Sequence, residues 1–378
     1  MKKILRLAFI AVFLYMPSVA AEKIPDPIIR VSIINDRDGV SLSLKGRYKI
    51  YAINTDRVVM EGPYLDAKVS ATKEGLRVGK KDIKLGGVKV KVARDANIYV
   101  EGRRFRGEID IVKGENEKLT VINYIPLERY LYGVLYNEVS HRWPMEVLKA
   151  QAIAARTFVL YQARQNKLQS YDVRSDIYSQ VYGGRASEKW STTTAVNLTK
   201  EKVLTYNGDI FSTYYHATCA GHTEDASNLW NIDLAPLKGT PCDFCRGSKH
   251  YQWKKDIPLW SLETDLKDNG YRVGKITSVT VLSRNKSGRA DKLEIKDDSG
   301  VSVILTGKDF RQIVGPNDIR STKFDASIKW GSLMLEGAGW GHGVGMCQWG
   351  AYEMARRGKK CDEILKYYYP GAEIADIS

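Results

Sequence analysis

Cysteine is scarce in this chain, five among 378 residues. That excludes a small scaffold held together by disulfides. No apolar run reaches the roughly 18 residues of a membrane-spanning helix, which excludes a polytopic membrane protein. Eleven prolines and 32 glycines are too few for a collagen-like or mucin-like chain. Internal repeats and low-complexity segments are missing, and acids are the minority charge, 44 Asp and Glu against 58 Lys and Arg. What remains is 43% hydrophobic, 10% aromatic and 27% charged residues, an ordinary globular composition. A soluble folded protein of about two domains is expected.

The first twenty residues read as a signal peptide. Lys2, Lys3 and Arg6 form a basic start, Leu7 to Tyr15 an apolar stretch, and Ser18-Val19-Ala20 a small-residue cleavage site. The alternative is an uncleaved anchor, which would be the chain's one contact with a membrane. No Cys follows the apolar stretch, which argues against a lipoprotein. Export is therefore expected, to the periplasm, the cell wall or the medium. Losing residues 1–20 would bring the formal charge from +14 to +11. A basic exported protein suits anionic wall polymers, lipid headgroups or acidic glycans, a merely solubilising surface is the equal alternative, and the leader argues against nucleic acid.

Short period-two runs such as Ile29–Ile33 and Val88–Val92, separated by turn signals at Asp38-Gly39 and Gly86-Gly87, predict an antiparallel β-rich domain over residues 22–120. The character changes at Pro126. Glu128–Val139 reads as a helix, and Trp143-Pro144 opens a second that runs to about Gln165. Met145–Leu160 is apolar on most faces, which predicts a buried helix. Lys149 and Arg156, seven apart, break that pattern on one face. Residues 251–335 return to strands, with a short helix near Leu259–Leu266. A Gly-rich loop, Gly337–Gly345, then leads into helices through about Tyr369. The expected class is α+β: the β-rich domain, then a mixed α/β core over 121–378 with a long buried helix and a β-rich insertion at 251–335.

Three groups of residues could carry chemistry. Glu138 follows the apolar Tyr132–Asn137 stretch just before the turn into the buried helix. Desolvation there would raise its pKa and keep a proton for a leaving group; a capping or salt-bridged Glu is the plainer reading. Glu146, two positions into the helix, is a rival that fits a helix-dipole role better. The second group is His216, Cys219, His222, Cys242, Cys245 and His250. Cys219-x-x-His222 and Cys242-x-x-Cys245 have the spacing of paired ligands on one tetrahedral ion, with His250 as an alternate; a Cys242–Cys245 disulfide is the competing reading. Cys347 and Cys361 fall outside the group. Third is the loop itself, with five glycines in nine residues around His342, which could donate to a substrate or brace the loop. Gln180 and Tyr182 add groups suited to sugar hydroxyls and sugar faces.

These segments together resemble the stage II sporulation protein D (SpoIID)/LytB family of bacterial cell-wall proteins. The resemblance is carried by Pro126–Glu138, Trp143–Thr157 with its Lys149-Ala150-Gln151-Ala152-Ile153-Ala154-Ala155-Arg156-Thr157 run, Ser179–Tyr182, Tyr215–Glu224 and Gly339–Ala351, in the family's order. It covers about residues 29–375. It implies lytic cleavage of peptidoglycan glycan strands, preferring strands stripped of stem peptides, with the catalytic glutamate at Glu138. His216-Ala217-Thr218 matches the family's His-Ser-Thr beside the active site. That assigns His216 to substrate and leaves Cys219, His222, Cys242 and Cys245 for a zinc ion. Glu201 stands at a turn position often held by Gly, Ala217 replaces a common Ser, and Cys347 stands where many members have Ser.

On this resemblance Glu138 protonates the oxygen between N-acetylmuramic acid and N-acetylglucosamine, then deprotonates the muramyl C6 hydroxyl as an anhydro ring closes. An ordinary glycosidase needs a second carboxylate; here the substrate's own hydroxyl replaces water. Lys149 and Arg156 would orient Glu138 or an anionic lactyl group, with buried helix packing as the equal alternative, and a closed four-ligand zinc would be structural. The partners implied are glycan strands and an N-acetylmuramoyl amidase acting beforehand. Two other readings compete: a non-catalytic wall-binding enhancer of such an amidase, and a zinc hydrolase using His216, Cys219 and an open metal position.

Overall fold

The structure is a computed structural model that describes residues 26–176 and 179–377. The expected signal peptide, residues 1–20, lies outside the described residues. The class is α+β. No helix among the described residues is long and apolar enough to cross a membrane.

Alternating apolar residues build one 11-stranded sheet. Its main path runs Val173–Arg174, Ile28–Arg37, Leu119–Pro126, Glu108–Lys113, Gly87–Val92, Gly39–Ala52, Val58–Thr72, Gly75–Val78 and Lys81–Ile83. Along Gly39–Ala52, Val40, Leu42, Leu44, Tyr48 and Ile50 are buried while Ser41, Lys45 and Lys49 face outward. Neighbouring strands on this path pair antiparallel, apart from Val31 beside Val173.

The sheet hands over to helices at Pro126. Helix α1 (Leu127–Glu138) and helix α2 (Met145–Gln165) each start directly after a proline. Proline's fixed φ suits a helix start, where its missing N–H costs nothing. Helix α2 is buried from Val147 to Val159 apart from Lys149. Ala152, Ala155 and Val159 join the core beneath the large sheet, whereas Val147, Ala150, Ile153 and Ala154 join a second core. The alanines let α2 sit between two packed layers at once, because a larger side chain would hold one of them off.

Helices α3 (Trp190–Leu198) and α4 (Ser227–Trp230) follow. The turn at Glu201 has φ of +64°, the left-handed conformation that makes glycine common in such a place. A third core, from Trp253 to Leu335, holds the inserted module together. It comprises two three-stranded antiparallel sheets, helix α5 (Leu259–Asp268) and helix α6 (Gly307–Val314). The predicted short helix is α5; α6 was not anticipated. The chain ends through α7 (Gln348–Arg356) and α8 (Cys361–Tyr368), both packed into the second core.

Candidate active site

A groove of about 530 Å³ opens where these three cores meet. Glu138, the last residue of α1, lines it with Val181, Gln348, His216 and His342, and the inserted module supplies Lys308, Arg311 and Asn317. Oε1 of Glu138 accepts a hydrogen bond from the Val181 backbone N–H at 3.0 Å. Burial raises the Glu138 pKa from 4.5 to about 7, against the lowering effect of the Val181 N–H and the Gln348 side chain. At neutral pH the group is therefore shared between acid and carboxylate, as an exchanging proton requires.

The Gly-rich loop holds the histidines. Gly339, Gly341, Gly343 and Gly345 all have positive φ. A Cβ on Gly341 would lie 2.7 Å from His216 Cβ, and one on Gly345 would lie 2.0 Å from the Tyr214 carbonyl oxygen. Only glycine lets the loop lie this close to the Tyr214–Ala217 segment. The strands Tyr215–His216 and Met346–Cys347 pair in parallel, fixing the register.

His216 Nδ1 lies 3.1 Å from the Val344 carbonyl oxygen. That oxygen only accepts, so Nδ1 carries the proton and, in a neutral ring, Nε2 is an acceptor. Burial, with the charges of His342 and Arg289, holds His216 well below the usual histidine range, so the ring is neutral. Its Nε2 is buried and, among the described residues, has no hydrogen-bond partner, an unused acceptor at the groove. His342 accepts from the Val344 N–H at its Nδ1, 3.1 Å away. Burial and then the Arg311 and Arg289 charges push it down to about 3. The Tyr214 and Trp230 rings stack at 4.3 Å in the groove wall, and His342 meets both edge-on.

Four residues expected to touch substrate do not line the groove. Arg156 is wholly buried and grips Glu128 with two hydrogen bonds of 2.8 Å, a pairing between α2 and α1. Lys149 pairs with Glu146 at 2.9 Å on the first turn of α2. Glu146 also takes the Cys361 N–H at 2.9 Å, anchoring the start of α8. Gln180 is buried behind the groove, where it bonds Tyr130, Tyr215 and the Ala155 carbonyl. Tyr182 packs in the first core and donates to Asn123 at 3.0 Å. In each case a polar group in an apolar segment was satisfied internally. Trp230, Tyr214 and the module's cations escaped the sequence reading. Tyr214 adjoins the Tyr215–Glu224 motif, but nothing local marked Trp230 or α6 as parts of a groove.

The metal-ligand expectation also changes. The buried sulfurs of Cys219, Cys242, Cys245 and Cys347 all lie within 4.8 Å of one another. These four can hold a metal ion, and all five cysteines are free thiols. Cys347, expected outside the group, takes the place expected of His222. His222 Nδ1 instead donates to the Thr223 carbonyl at 2.6 Å, and His250 packs edge-on against Trp340 with ring centres 4.4 Å apart. Sulfurs around a tetrahedral zinc stand about 3.8 Å apart for Zn–S bonds near 2.3 Å, and Cys219 and Cys245 are at 3.5 Å. The surrounding charge fits as well. Arg289, fully buried, donates to the Cys219 and His222 carbonyls at 3.1 Å each, and Lys323 donates to the Ala220 carbonyl at 2.8 Å. Two cations beside the ligand loop match the net charge of four thiolates around one divalent ion.

Comparison with known proteins bears on this arrangement. The SpoIID family profile, described as "Stage II sporulation protein", matches residues 115–206. Stage II sporulation protein D of Bacillus subtilis is 32% identical over 277 residues, covering 68% of this chain and 76% of that protein. The chain belongs to the stage II sporulation protein D family. An uncharacterized protein of Brachyspira hyodysenteriae is similar over nearly the whole length, 32% identical across 93% of this chain and 94% of its own. An amidase enhancer of Bacillus subtilis is 26% identical, and the match spans 40% of that longer relative. Residues 238–345 match a profile for a domain of unknown function, which takes in the whole inserted module and the whole Gly-rich loop. Glu138, Arg156, Gln180 and Tyr182 fall within the SpoIID match, whereas His216, His342 and the four clustered cysteines lie beyond it.

Proposed function

We propose that this protein is an exported peptidoglycan lytic transglycosylase with Glu138 as its acid and base. The observation that carries the reading is a single carboxyl in the groove poised near pH 7, close to its own proton-transfer midpoint. The other acid of the lining, Asp176, is tied to Arg174 at 2.8 Å. One working carboxyl suits a reaction in which the substrate supplies its own nucleophile.

Protonated Glu138 gives its proton to the oxygen joining muramyl C1 to O4 of N-acetylglucosamine. The C1–O4 bond breaks and the glucosamine leaves with its 4-hydroxyl. The Glu138 carboxylate then takes the C6 hydroxyl proton as O6 bonds to C1, closing the 1,6-anhydro ring and restoring the acid. His216 Nε2 offers an acceptor for a sugar hydroxyl, and the Trp230–Tyr214 stack a face for a sugar ring. Cys219, Cys242, Cys245 and Cys347 would hold a zinc ion, with four sulfurs leaving no open position for water. Its contribution would be to join the ligand loop to α7, as a brace.

The competing reading is a non-catalytic, wall-binding amidase enhancer, favoured by the relative of that name. Mass spectrometry of products from peptide-free glycan strands separates the two. Anhydro-muramyl ends are expected from the wild type and not from folded Glu138→Gln. Their absence from both, with glycan binding retained, would leave the enhancer in front.

A further inference from the structure

Five aromatic rings from three separate stretches of the chain meet beside the groove. Trp340 belongs to the Gly-rich loop and lines the groove itself. Its backbone is pinned to Thr218, with N–H to carbonyl bonds of 2.9 and 3.0 Å in the two directions. His250 meets the Trp340 ring edge-on at 4.4 Å and lies 6.4 Å from Trp349. Trp349 and Tyr352 are three apart on α7, so they share a helix face, and their ring centres are 5.5 Å apart. Trp143, just before Pro144 at the start of α2, completes the row, 5.4 Å from Trp349 and 4.9 Å from Tyr352.

All five rings are partly exposed. Their polar edges are unused. Among the described residues no protein group hydrogen-bonds the indole N–H of Trp143, Trp340 or Trp349, a ring nitrogen of His250 or the Tyr352 hydroxyl. Tyr130, Tyr182, Tyr367 and Tyr369, by contrast, each donate to a protein acceptor. Burial, with the Lys249 and Arg320 charges, lowers the His250 pKa below the usual histidine value, so its ring is mostly neutral at pH 7. The row therefore offers solvent apolar ring surface and polar edges together. An apolar protein face laid over it would bury those edges unpartnered, at a cost for each. A sugar has C–H faces for the rings and a rim of hydroxyl and amide groups for the edges, and it satisfies both.

We propose that this row is an outer track for the glycan strand, holding sugars that lie beyond the groove, so that the protein favours long strands over short ones. It rests on the glycan-binding part of the reading above and not on the chemistry of Glu138. Trp340 belongs to both groove and row, so the track continues from the groove without a break. The steps from Trp340 to His250, Trp349 and Tyr352, between 4.4 and 6.4 Å, are of the size of one sugar ring, and successive sugars can each meet an aromatic. Trp143 and Trp349 also pack against the second core, whereas Tyr352 does not belong to it. Tyr352 is therefore the position at which the track can be cut with least harm to the fold.

The test is the affinity of folded Glu138→Gln protein for β-1,4-linked N-acetylglucosamine oligomers of two, four and six sugars, measured by calorimetry. Affinity is expected to rise with length. Tyr352→Ala should weaken binding of the hexamer about tenfold, the upper end of what one aromatic contact contributes, and leave the dimer unchanged. Tyr352→Phe, which keeps the ring, should retain most of the gain. His250→Ala, nearer the groove, should weaken the tetramer as well, with melting temperatures confirming folding. Hexamer affinity unchanged in both alanine variants overturns the track. An equal loss at every length also overturns it, because the variants would then be disturbing the groove. Wild type that releases no anhydro products, with the length dependence present and lost in Tyr352→Ala, would sink the catalytic reading and leave the track standing.

Discussion

Arg156 of α2 and Glu128 of α1 form a two-pronged ion pair out of reach of water, with both bonds at 2.8 Å. The same guanidinium donates to the Lys202 and Val196 carbonyls at 3.0 and 3.2 Å. One side chain thus joins both helices to the strand and helix beside them. Arg156→Met should cost about 3–5 kcal/mol, because Glu128 would keep a buried charge with no partner. Glu128→Leu in the same chain should recover part of that, the orphaned carbonyls accounting for the rest. Urea unfolding of both single variants and the double reads this out; additive losses would show that the two residues do not act as a pair.

Glu138 gives a pH signature. Its folded pKa, about 7, lies above the ordinary 4.5, so the folded state holds its proton more tightly than the unfolded chain. The stability this contributes is fully present below about 4.5 and is lost as pH rises through about 7. Glu138→Gln, which cannot ionise, should therefore gain melting temperature relative to wild type between pH 5 and 8. Glycan cleavage should fall above pH 7 as the acid form disappears. The Gln variant should lose about 10²–10⁴-fold in rate, the usual contribution of general acid–base catalysis. A flat difference in melting temperature across this range would contradict the raised pKa.

Metal analysis separates the fourth sulfur from the rejected histidine. Purified wild type should carry one zinc per chain by inductively coupled plasma mass spectrometry. Cys347→Ser should lower that content and the melting temperature together, whereas His222→Ala should keep the metal. Stripping the ion with a chelator should destabilise the fold, since Cys219, Cys242, Cys245 and Cys347 all belong to the second core. Retention of full zinc by Cys347→Ser would reinstate another ligand.

Two glycines with similar backbones should respond differently to alanine. Gly345 has φ of +69° and a Cβ there would sit 2.0 Å from the Tyr214 carbonyl oxygen, while Gly358 has φ of +86° and open space around it. Gly358→Ala should cost only the left-handed strain of about 1–2 kcal/mol. Gly345→Ala must also push the loop off its neighbouring strand, and little folded protein is expected from expression. Equal stability of the two variants would mean that the loop has room to move.

Much of the fold was legible because its signals are local. Period-two runs such as Val88–Val92 announce half-buried strands, and Pro126 and Pro144 mark the two helix starts. Glu138 and the histidines of the groove were visible through motifs that keep their neighbours in fixed order. What escaped depends on contacts between distant segments. Cys347 joins the cysteine cluster because Met346–Cys347 pairs with Tyr215–His216, a registration invisible to ligand spacing. A charge in an apolar helix looks the same whether it meets substrate or a buried partner, and for Arg156 the partner was Glu128. Helix α6 has only eight residues. Its cap, Thr306 followed three positions later by Asp309, was the one readable sign, a short version of the usual capping pattern.

The separate packing of the three cores has an evolutionary consequence. Glu138 and the histidines stand on chain segments that pack within the first and second cores, and Lys308 stands on a segment of the third. The Asn285–Arg289 turn connects them, with Asn285 and Ser287 bonded to the buried carboxylate of Glu224 at 2.6 and 2.7 Å. Substitutions that reshape the module's groove-facing surface leave the packing under the acid untouched, provided this turn survives. A lineage could thereby change what the groove admits by drift in a single removable-looking segment, while the packing around Glu138 is inherited unchanged.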